Sequence, residues 1–310
     1  MKVLVLNHDA EEYKEILTAK FPSLTVYAAA TEEEAVPFIE EADILTTIRI
    51  SDDLMKKARS LKWIQAMTTG TDYITKLPSL RKEVLLTSTR GIHGPQMSEM
   101  AVLLMIALSR DFPKIIQNQS QKKWERWPAK LLWKKKVAIM GVGIIGEAIA
   151  QKCKVFDMKV IGLGHVAREV PNVDHFYTLD KLHDVMAEVD YFICVAPGTP
   201  EYEKMLGKEA FERMKPTAYF INIGRGEVVD EEALIRVLME KKIAGAALDT
   251  FWEEPLPPDS PLWELENTII TPHVGGMSDI YVEQVMAIFE ENLRRFLRGE
   301  RDTLLNLVQH

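Results

Sequence analysis

The segment that most constrains this chain is Gly141-Val142-Gly143-Ile144-Ile145-Gly146, set between the apolar run 137–140 and a stretch with helical spacing. It predicts a strand, a tight turn and the start of a helix. Each glycine has its own physical reason: the first permits the turn, the second lets backbone approach a phosphate, and the third lets the helix pack closely on the strand. Free N–H groups and the positive dipole end at the helix start favour an anion there, so the pattern reads as a cradle for a pyrophosphate.

At 310 residues the chain exceeds what one hydrophobic core usually supports, which predicts two domains. A net charge of −8 argues against nucleic acid or an anionic membrane as a partner, so any anionic ligand must be held by local positive groups. Cys153 and Cys194 are the only cysteines. Without a C-x-x-C pair or a Cys/His cluster, they predict reduced, buried thiols in a cytoplasmic protein with no disulfide framework and no metal site. The apolar run at 3–6 turns polar at Asn7-His8-Asp9, too short for a signal peptide, and no stretch approaches the ~20 apolar residues that span a bilayer.

Short apolar runs at 3–6, 24–27, 44–47, 63–67 and 84–87 alternate with charged helical patterns at 11–20, 32–40 and 52–58. That alternation predicts βαβ units and a parallel sheet. The stretch 97–108 is apolar almost all round, which predicts a buried helix crossing between domains. Residues 111–133, polar and punctuated by tryptophan, read as a helix and a loop. A second βαβ series follows, with strands at 137–140, 159–163, 191–195, 218–223, 245–249 and 268–270 and a helix at 231–241. The tail 280–297 carries Val282, Val285, Met286, Ile288, Phe289 and Leu293 on one helical face.

Three segments each place a chemically useful side chain where a strand of the second series ends: Asn222-Ile223-Gly224-Arg225-Gly226, Asp249-Thr250-Phe251-Trp252-Glu253-Glu254-Pro255, and Thr271-Pro272-His273-Val274-Gly275-Gly276. Ligands of open α/β sheets sit outside the carboxyl ends of the strands, so Arg225, Glu254 and His273 are expected to converge there. Reduction of a 2-oxo acid needs a cation for the carboxylate and carbonyl and a proton donor for the oxygen. Arg225 suits the first through its planar, always charged fork. His273 suits the second because imidazole gives and takes protons near neutrality. Glu254 would pair with the imidazole and orient it, with Glu253 as its neighbouring rival.

At these residues the chain resembles the D-2-hydroxyacid dehydrogenase family. The resemblance also rests on Thr69-Gly70-Thr71-Asp72, Arg90-Gly91-Ile92-His93 with Ser98-Glu99, the glycine fingerprint and Pro197-Gly198-Thr199-Pro200. It implies a flavodoxin-like substrate domain, 1–97 with 281–310, interrupted by a Rossmann dinucleotide-binding domain, 98–280. The helices at 97–108 and 280–297 would be the two crossings. It further implies substrate contacts from Thr69, Gly70, Arg225 and His273, and cofactor contacts from Gly141, Gly143, Ile144, Ile145, Gly146, Pro197, Thr199, Ile223, Asp249 and Gly275. Asp249 would bind the nicotinamide carboxamide, unless it is only a turn cap. Arg49 is placed either against the far end of the substrate or at the domain interface, and Trp252 either roofs the pocket or packs.

The implied activity is reversible reduction of a small 2-oxo acid such as glyoxylate, hydroxypyruvate or pyruvate by a cytoplasmic homodimer. A dinucleotide-sensing corepressor of the same fold is the alternative. The formate dehydrogenase branch carries glutamine where this chain has Glu254. For the cofactor, an NAD site places an acid at the end of the second strand, ~20 residues past the glycines, on the ribose 2′-OH. Here Gly164 stands at that point, with His165 and Arg168 beyond it. The pattern resembles NADP-preferring glyoxylate/hydroxypyruvate reductases and predicts NADP in preference to NAD, although those relatives carry arginine where this chain has His165. A turn that accepts either cofactor is the other reading.

Overall fold

The computed structural model describes residues 1–310. Its strands are β1 Lys2–Leu6, β2 Thr25–Ala29, β3 Ile44–Thr47, β4 Trp63–Ala66, β5 Leu85–Thr87, β6 Lys136–Met140, β7 Lys159–Gly164, β8 His175–Thr178, β9 Tyr191–Cys194, β10 Tyr219–Asn222, β11 Gly245–Leu248, β12 Thr268–Ile270 and β13 Leu307–Val308. The chain forms two compact units, residues 1–92 with 278–310, and residues 93–277. No helix is long and apolar enough to cross a membrane.

The first unit is a six-stranded sheet in the order β13-β5-β4-β3-β1-β2. Its parallel part has the flavodoxin-like order, and β13 adds an antiparallel edge through Leu307 opposite Thr87. Parallel strands are covered on both faces, which is why β1 reads as an unbroken apolar run from Val3 to Leu6 and β3 is buried at every position. One face packs on Tyr13 and Leu17 of the helix Ala10–Lys20 and on Val285, Phe289 and Leu293 of the helix Tyr281–Leu297; the other packs on Ala35, Ile39 and Leu54. Four side chains inside this core form a hydrogen-bonded network. Trp63 Nε1 donates to Thr87 Oγ1 at 2.8 Å, Thr87 Oγ1 to Gln65 Oε1 at 2.8 Å, and Asn292 Nδ2 to Gln65 Oε1 at 3.1 Å.

The second unit is a seven-stranded sheet in the order β12-β11-β10-β9-β6-β7-β8, with every pairing parallel. The order reverses between β6 and β9, and this switch point opens a crevice at the strands' carboxyl ends. Gly141 closes β6 at φ +94°, and a Cβ there would lie 2.8 Å from the Val195 carbonyl oxygen. No other residue satisfies both the dihedral and the space.

The helix Gly94–Arg110 lies wholly in the second unit, beginning where a Cβ on Gly94 would meet Ala148 Cβ at 3.6 Å, so the first unit ends ahead of residue 98. It buries Ala101, Leu104, Met105 and Leu108, whereas Leu103 is 58% exposed. The cover expected all round this helix is therefore missing along one stripe. β8 and β13 escape a sequence reading. The first is a half-exposed edge strand beginning with His175, and the second has two residues, too few for any periodicity.

Candidate active site

The glycine loop passes from β6 into the helix Ile144–Val155. Around the position of a Cβ on Gly143 nothing lies within 4 Å, whereas one on Gly146 would meet the Gly141 carbonyl oxygen at 2.8 Å and Ile139 Cγ2 at 3.3 Å. Gly143 thus lies open beside the first-turn N–H groups of Ile144, Ile145 and Gly146, which an α-helix leaves without acceptors of its own. Gly146 brings helix against strand. This arrangement fits a dinucleotide pyrophosphate.

Arg225 sits on a turn built by backbone contact. Asn222, buried at the end of β10, accepts from Gly224 N through Oδ1 at 3.1 Å and donates through Nδ2 to the Arg225 carbonyl at 3.1 Å. A Cβ on Gly226 would overlap the Phe251 carbonyl group at 1.9 Å, and one on Gly224 would approach the Ala196 carbonyl oxygen at 2.8 Å. The turn is therefore held between the loops that follow β9 and β11. Gly198 gives the Arg225 stem its room, since a Cβ there would lie 3.2 Å from Arg225 Cγ. Arg225 Nη1 donates to the Gly224 carbonyl at 2.9 Å.

Glu254 and His273 meet. Glu254 Oε1 accepts from Phe251 N at 3.2 Å, and its Oε2 lies 2.8 Å from His273 Nδ1. This leaves Nε2 as the ring nitrogen able to serve a substrate oxygen. Glu253 is exposed. His273 holds φ at +53°, a left-handed conformation that costs about 1–2 kcal/mol for a side chain with a Cβ. Asp249 supports it: buried at the end of β11, it accepts from Thr271 Oγ1 at 2.6 Å, Val274 N at 3.0 Å and Gly275 N at 2.9 Å. Asp249 thus shapes the loop that carries His273, and its four lone-pair positions leave one for a further donor. A Cβ on Gly275 would approach Asp249 Oδ2 at 2.8 Å. Ile223 is buried beyond β10; Pro197 is exposed and Thr199 half-buried in the loop past β9. Trp252 lies exposed under Lys204, whose Nζ is 4.9 Å from the ring centroid.

At the end of β7, His165 Nε2 lies 3.2 Å from Glu201 Oε1. Arg168 Nη2 donates to Glu147 Oε1 at 3.1 Å and to the Val142 carbonyl. Gly164 is less open than its size implies, because a Cβ would meet Phe176 Cζ at 3.1 Å.

In the first unit, the Thr69-Gly70-Thr71 turn leads into the short helix Asp72–Thr75. Arg49 lies over Tyr73, its Cζ 3.9 Å from the ring centroid, and its carbonyl accepts from Thr47 Oγ1 at 2.6 Å.

One residue of the site has no assigned role in the sequence reading. His93, just ahead of the helix Gly94–Arg110, is 6% exposed, and burial with the Arg225 charge pushes its pKa down to about 4. A Cβ on Gly276 would lie 3.2 Å from His93 Cδ2, so this imidazole backs the far end of the His273 loop. Its position between two glycines ahead of an apolar helix was the available signal.

A parallel sheet with a phosphate cradle at its switch point, an arginine turn and a carboxylate-imidazole pair at neighbouring strand ends define a dinucleotide-dependent oxidoreductase. The family described as D-isomer specific 2-hydroxyacid dehydrogenase, NAD binding domain, matches residues 102–275. Glyoxylate reductase of Thermofilum pendens is 32% identical over 284 residues, 87% of this chain and 83% of that one. D-3-phosphoglycerate dehydrogenase of Methanocaldococcus jannaschii is 30% identical over 97% of this chain, which spans 58% of that longer protein. Among solved structures, a D-isomer specific 2-hydroxyacid dehydrogenase family protein of Aeromonas salmonicida superposes with a TM-score of 0.91 at 35% identity, covering 99% of this chain and 98% of that one. An NADPH-dependent glyoxylate/hydroxypyruvate reductase of Sinorhizobium meliloti, solved with NADP and sulfate, gives 0.85 at 25% identity over 99% and 98% of the two chains. The chain belongs to the D-isomer specific 2-hydroxyacid dehydrogenase family, NAD(P)-dependent oxidoreductases of 2-hydroxy and 2-oxo acids.

Proposed function

We propose that this protein catalyses reversible reduction of a small 2-oxo acid, of the glyoxylate, hydroxypyruvate or pyruvate class, with NADPH as the preferred donor. The observation that carries the reading is the pair of Glu254 and His273 beside the arginine turn. Arg225 binds the substrate carboxylate and polarises its carbonyl. His273, oriented by Glu254, holds the proton on Nε2 and passes it to the carbonyl oxygen in reduction, or takes it back in oxidation. The cofactor, when bound, supplies or accepts the hydride at the substrate carbon. Gly141, Gly143, Ile144, Ile145 and Gly146 hold its pyrophosphate, and Pro197, Thr199, Ile223, Asp249 and Gly275 line its course. Substrate contacts from Arg49, Thr69 and Gly70 rest on the family resemblance alone.

The NADPH preference rests on the absence of an acid at Gly164, on His165 and Arg168 as donors to a 2′-phosphate, and on the NADPH-dependent relative from Sinorhizobium meliloti. Cys153 and Cys194 are free and buried, and burial pushes both thiols up to about 12. A homodimer accounts for the uncovered stripe of the helix Gly94–Arg110. A rate panel of glyoxylate, hydroxypyruvate, pyruvate and 3-phosphohydroxypyruvate with NADPH and NADH tests the reading. Turnover of one of the small acids, faster with NADPH, is the expected result. Turnover of the phosphorylated acid alone, or of none, would overturn the substrate class, and equal or better use of NADH would overturn the cofactor preference.

A further inference from the structure

Both residues read as donors to the 2′-phosphate already have carboxylates as partners, and those carboxylates come from elsewhere in the unit. Arg168 is held by Glu147, in the first turn of the helix behind the glycine loop, and by the Val142 carbonyl of the loop itself. His165 is held by Glu201, which also accepts from Thr199 Oγ1 at 3.3 Å, and its ring stands edge-on to Tyr202 with centroids 5.1 Å apart. Each of the two donors is therefore accompanied by a carboxylate.

We propose that Glu147 and Glu201 are specificity-determining residues that oppose the 2′-phosphate and hold the preference for NADPH down. The proposal rests on the reading of His165 and Arg168 as the 2′-phosphate donors. The carboxylates have two opposing effects. Their favourable effect is to position the donors, but all four side chains are between 41% and 59% exposed, and ion pairs at such exposure contribute little. Their unfavourable effect is repulsion of a phosphate that carries nearly two charges near neutral pH. A carboxylate sharing a guanidinium or imidazole with that phosphate lies roughly 6 Å from it, where water-like screening leaves about an eightfold penalty. Physiological salt reduces this to about threefold. Positioning by an exposed pair is worth at most about fivefold and often nothing, so the repulsion exceeds it at low salt, and NAD, which lacks the phosphate, does not feel it.

The test is calorimetric binding of NADP⁺ and NAD⁺ to the parent protein, Glu147→Gln, Glu201→Gln, the double variant and Arg168→Ala, at ~0.02 M and ~0.15 M salt. The ratio Kd(NAD⁺)/Kd(NADP⁺) is expected to rise about threefold in each single variant at the higher salt, to multiply in the double variant, and to rise further at the lower salt. A ratio that stays level or falls in the glutamine variants, while Arg168→Ala weakens NADP⁺ binding, would overturn the proposal and leave the phosphate site standing. Unchanged NADP⁺ binding in Arg168→Ala would remove the phosphate site itself, and the proposal with it.

Discussion

His273 presents Nδ1 to Glu254 Oε2 at 2.8 Å while its own backbone is held in the left-handed region at φ +53°. The strained residue is the one to which the proposed mechanism gives the proton transfer, and strain at such a position persists only where neighbours over-determine it. Asp249 does so from below, through Thr271, Val274 and Gly275, and Glu254 from the side. Glu254 is itself tied to Phe251 N.

His273→Gln is therefore expected to lower kcat by about 10²–10⁴, the range for removal of a general acid. Glu254→Gln should lower it less, because the amide can still accept a hydrogen bond from Nδ1. Steady-state kcat of both variants checks this, and a parental kcat in Glu254→Gln would exclude Glu254 as the partner that matters.

Arg225→Ala should lower kcat/KM for the 2-oxo acid by the equivalent of ~2–5 kcal/mol, the usual effect of removing one partner of a hydrogen-bonded charge pair. Nucleotide affinity should be kept. Arg225→Lys should recover little, since a single ammonium cannot reproduce the two-pronged contact with a carboxylate. Steady-state kinetics alongside calorimetric binding of NADP⁺ separates the two effects, and loss of nucleotide binding in Arg225→Ala would place the guanidinium in the wrong role.

The order of elements and the residues at strand ends were legible in the sequence because each rests on local chemistry. Glycines at 141, 143 and 146, the Gly224-Arg225-Gly226 turn and the alternation of apolar runs with charged helices are short-range patterns. What was not legible depends on residues distant in sequence. Nothing near Glu147 announces Arg168, and nothing near Glu201 announces His165; the first pair exists only once the helix Ile144–Val155 lies beside the loop after β7, and the second only once that loop meets the one after β9. The same holds for Phe176, whose ring stands against Gly164, and for the stripe on the helix Gly94–Arg110, since composition does not reveal which apolar side chains find cover.

Two glycines should respond oppositely to the same added methyl group. Gly226→Ala would drive its Cβ into the Phe251 carbonyl group, whereas Gly143→Ala would meet no protein atom within 4 Å. The first should lose at least ~1–3 kcal/mol of stability, the usual range for overpacking, and lose activity as the arginine turn shifts. The second should melt like the parent yet bind the dinucleotide more weakly, because the methyl group occupies the phosphate cradle. Thermal melts and calorimetry of both variants decide it, and normal NADP⁺ affinity in Gly143→Ala would count against the cradle.

His93 sets a pH dependence of stability. Burial and the Arg225 charge push it down to about 4 from an ordinary 6.5, so the folded protein resists the proton that the unfolded chain accepts. Its contribution is fully present above about 6.5 and is lost as pH falls toward 4, with a slope of up to ~1.4 kcal/mol per pH unit. The sum is on the order of 3 kcal/mol. His93→Gln should flatten the fall in melting temperature across that window without removing acid denaturation from other groups. Parallel curves for parent and variant would show that the imidazole is not responsible.

The uncovered stripe leads to a prediction about assembly. Leu103 at 58% exposed, Phe112 at 50%, Ile116 at 50%, Trp124 at 93% and Trp133 at 54% belong to one continuous stretch of the second unit, the helices Gly94–Arg110 and Phe112–Ser120 and the loop after them. Large apolar side chains scattered singly on a surface need no explanation, but several of them on consecutive elements make this stretch a candidate interaction surface. A second copy is the occupant that family resemblance supports. Two such faces meeting about a two-fold axis cover each other with no further component. The parent protein should run as a dimer in light scattering. Leu103→Asp with Ile116→Asp places two charges in each copy of that interface and should give monomers with a lowered melting temperature, because the exposed apolar area is no longer removed from water. A parent protein that is monomeric at micromolar concentration would overturn this, as would a double variant that stays dimeric.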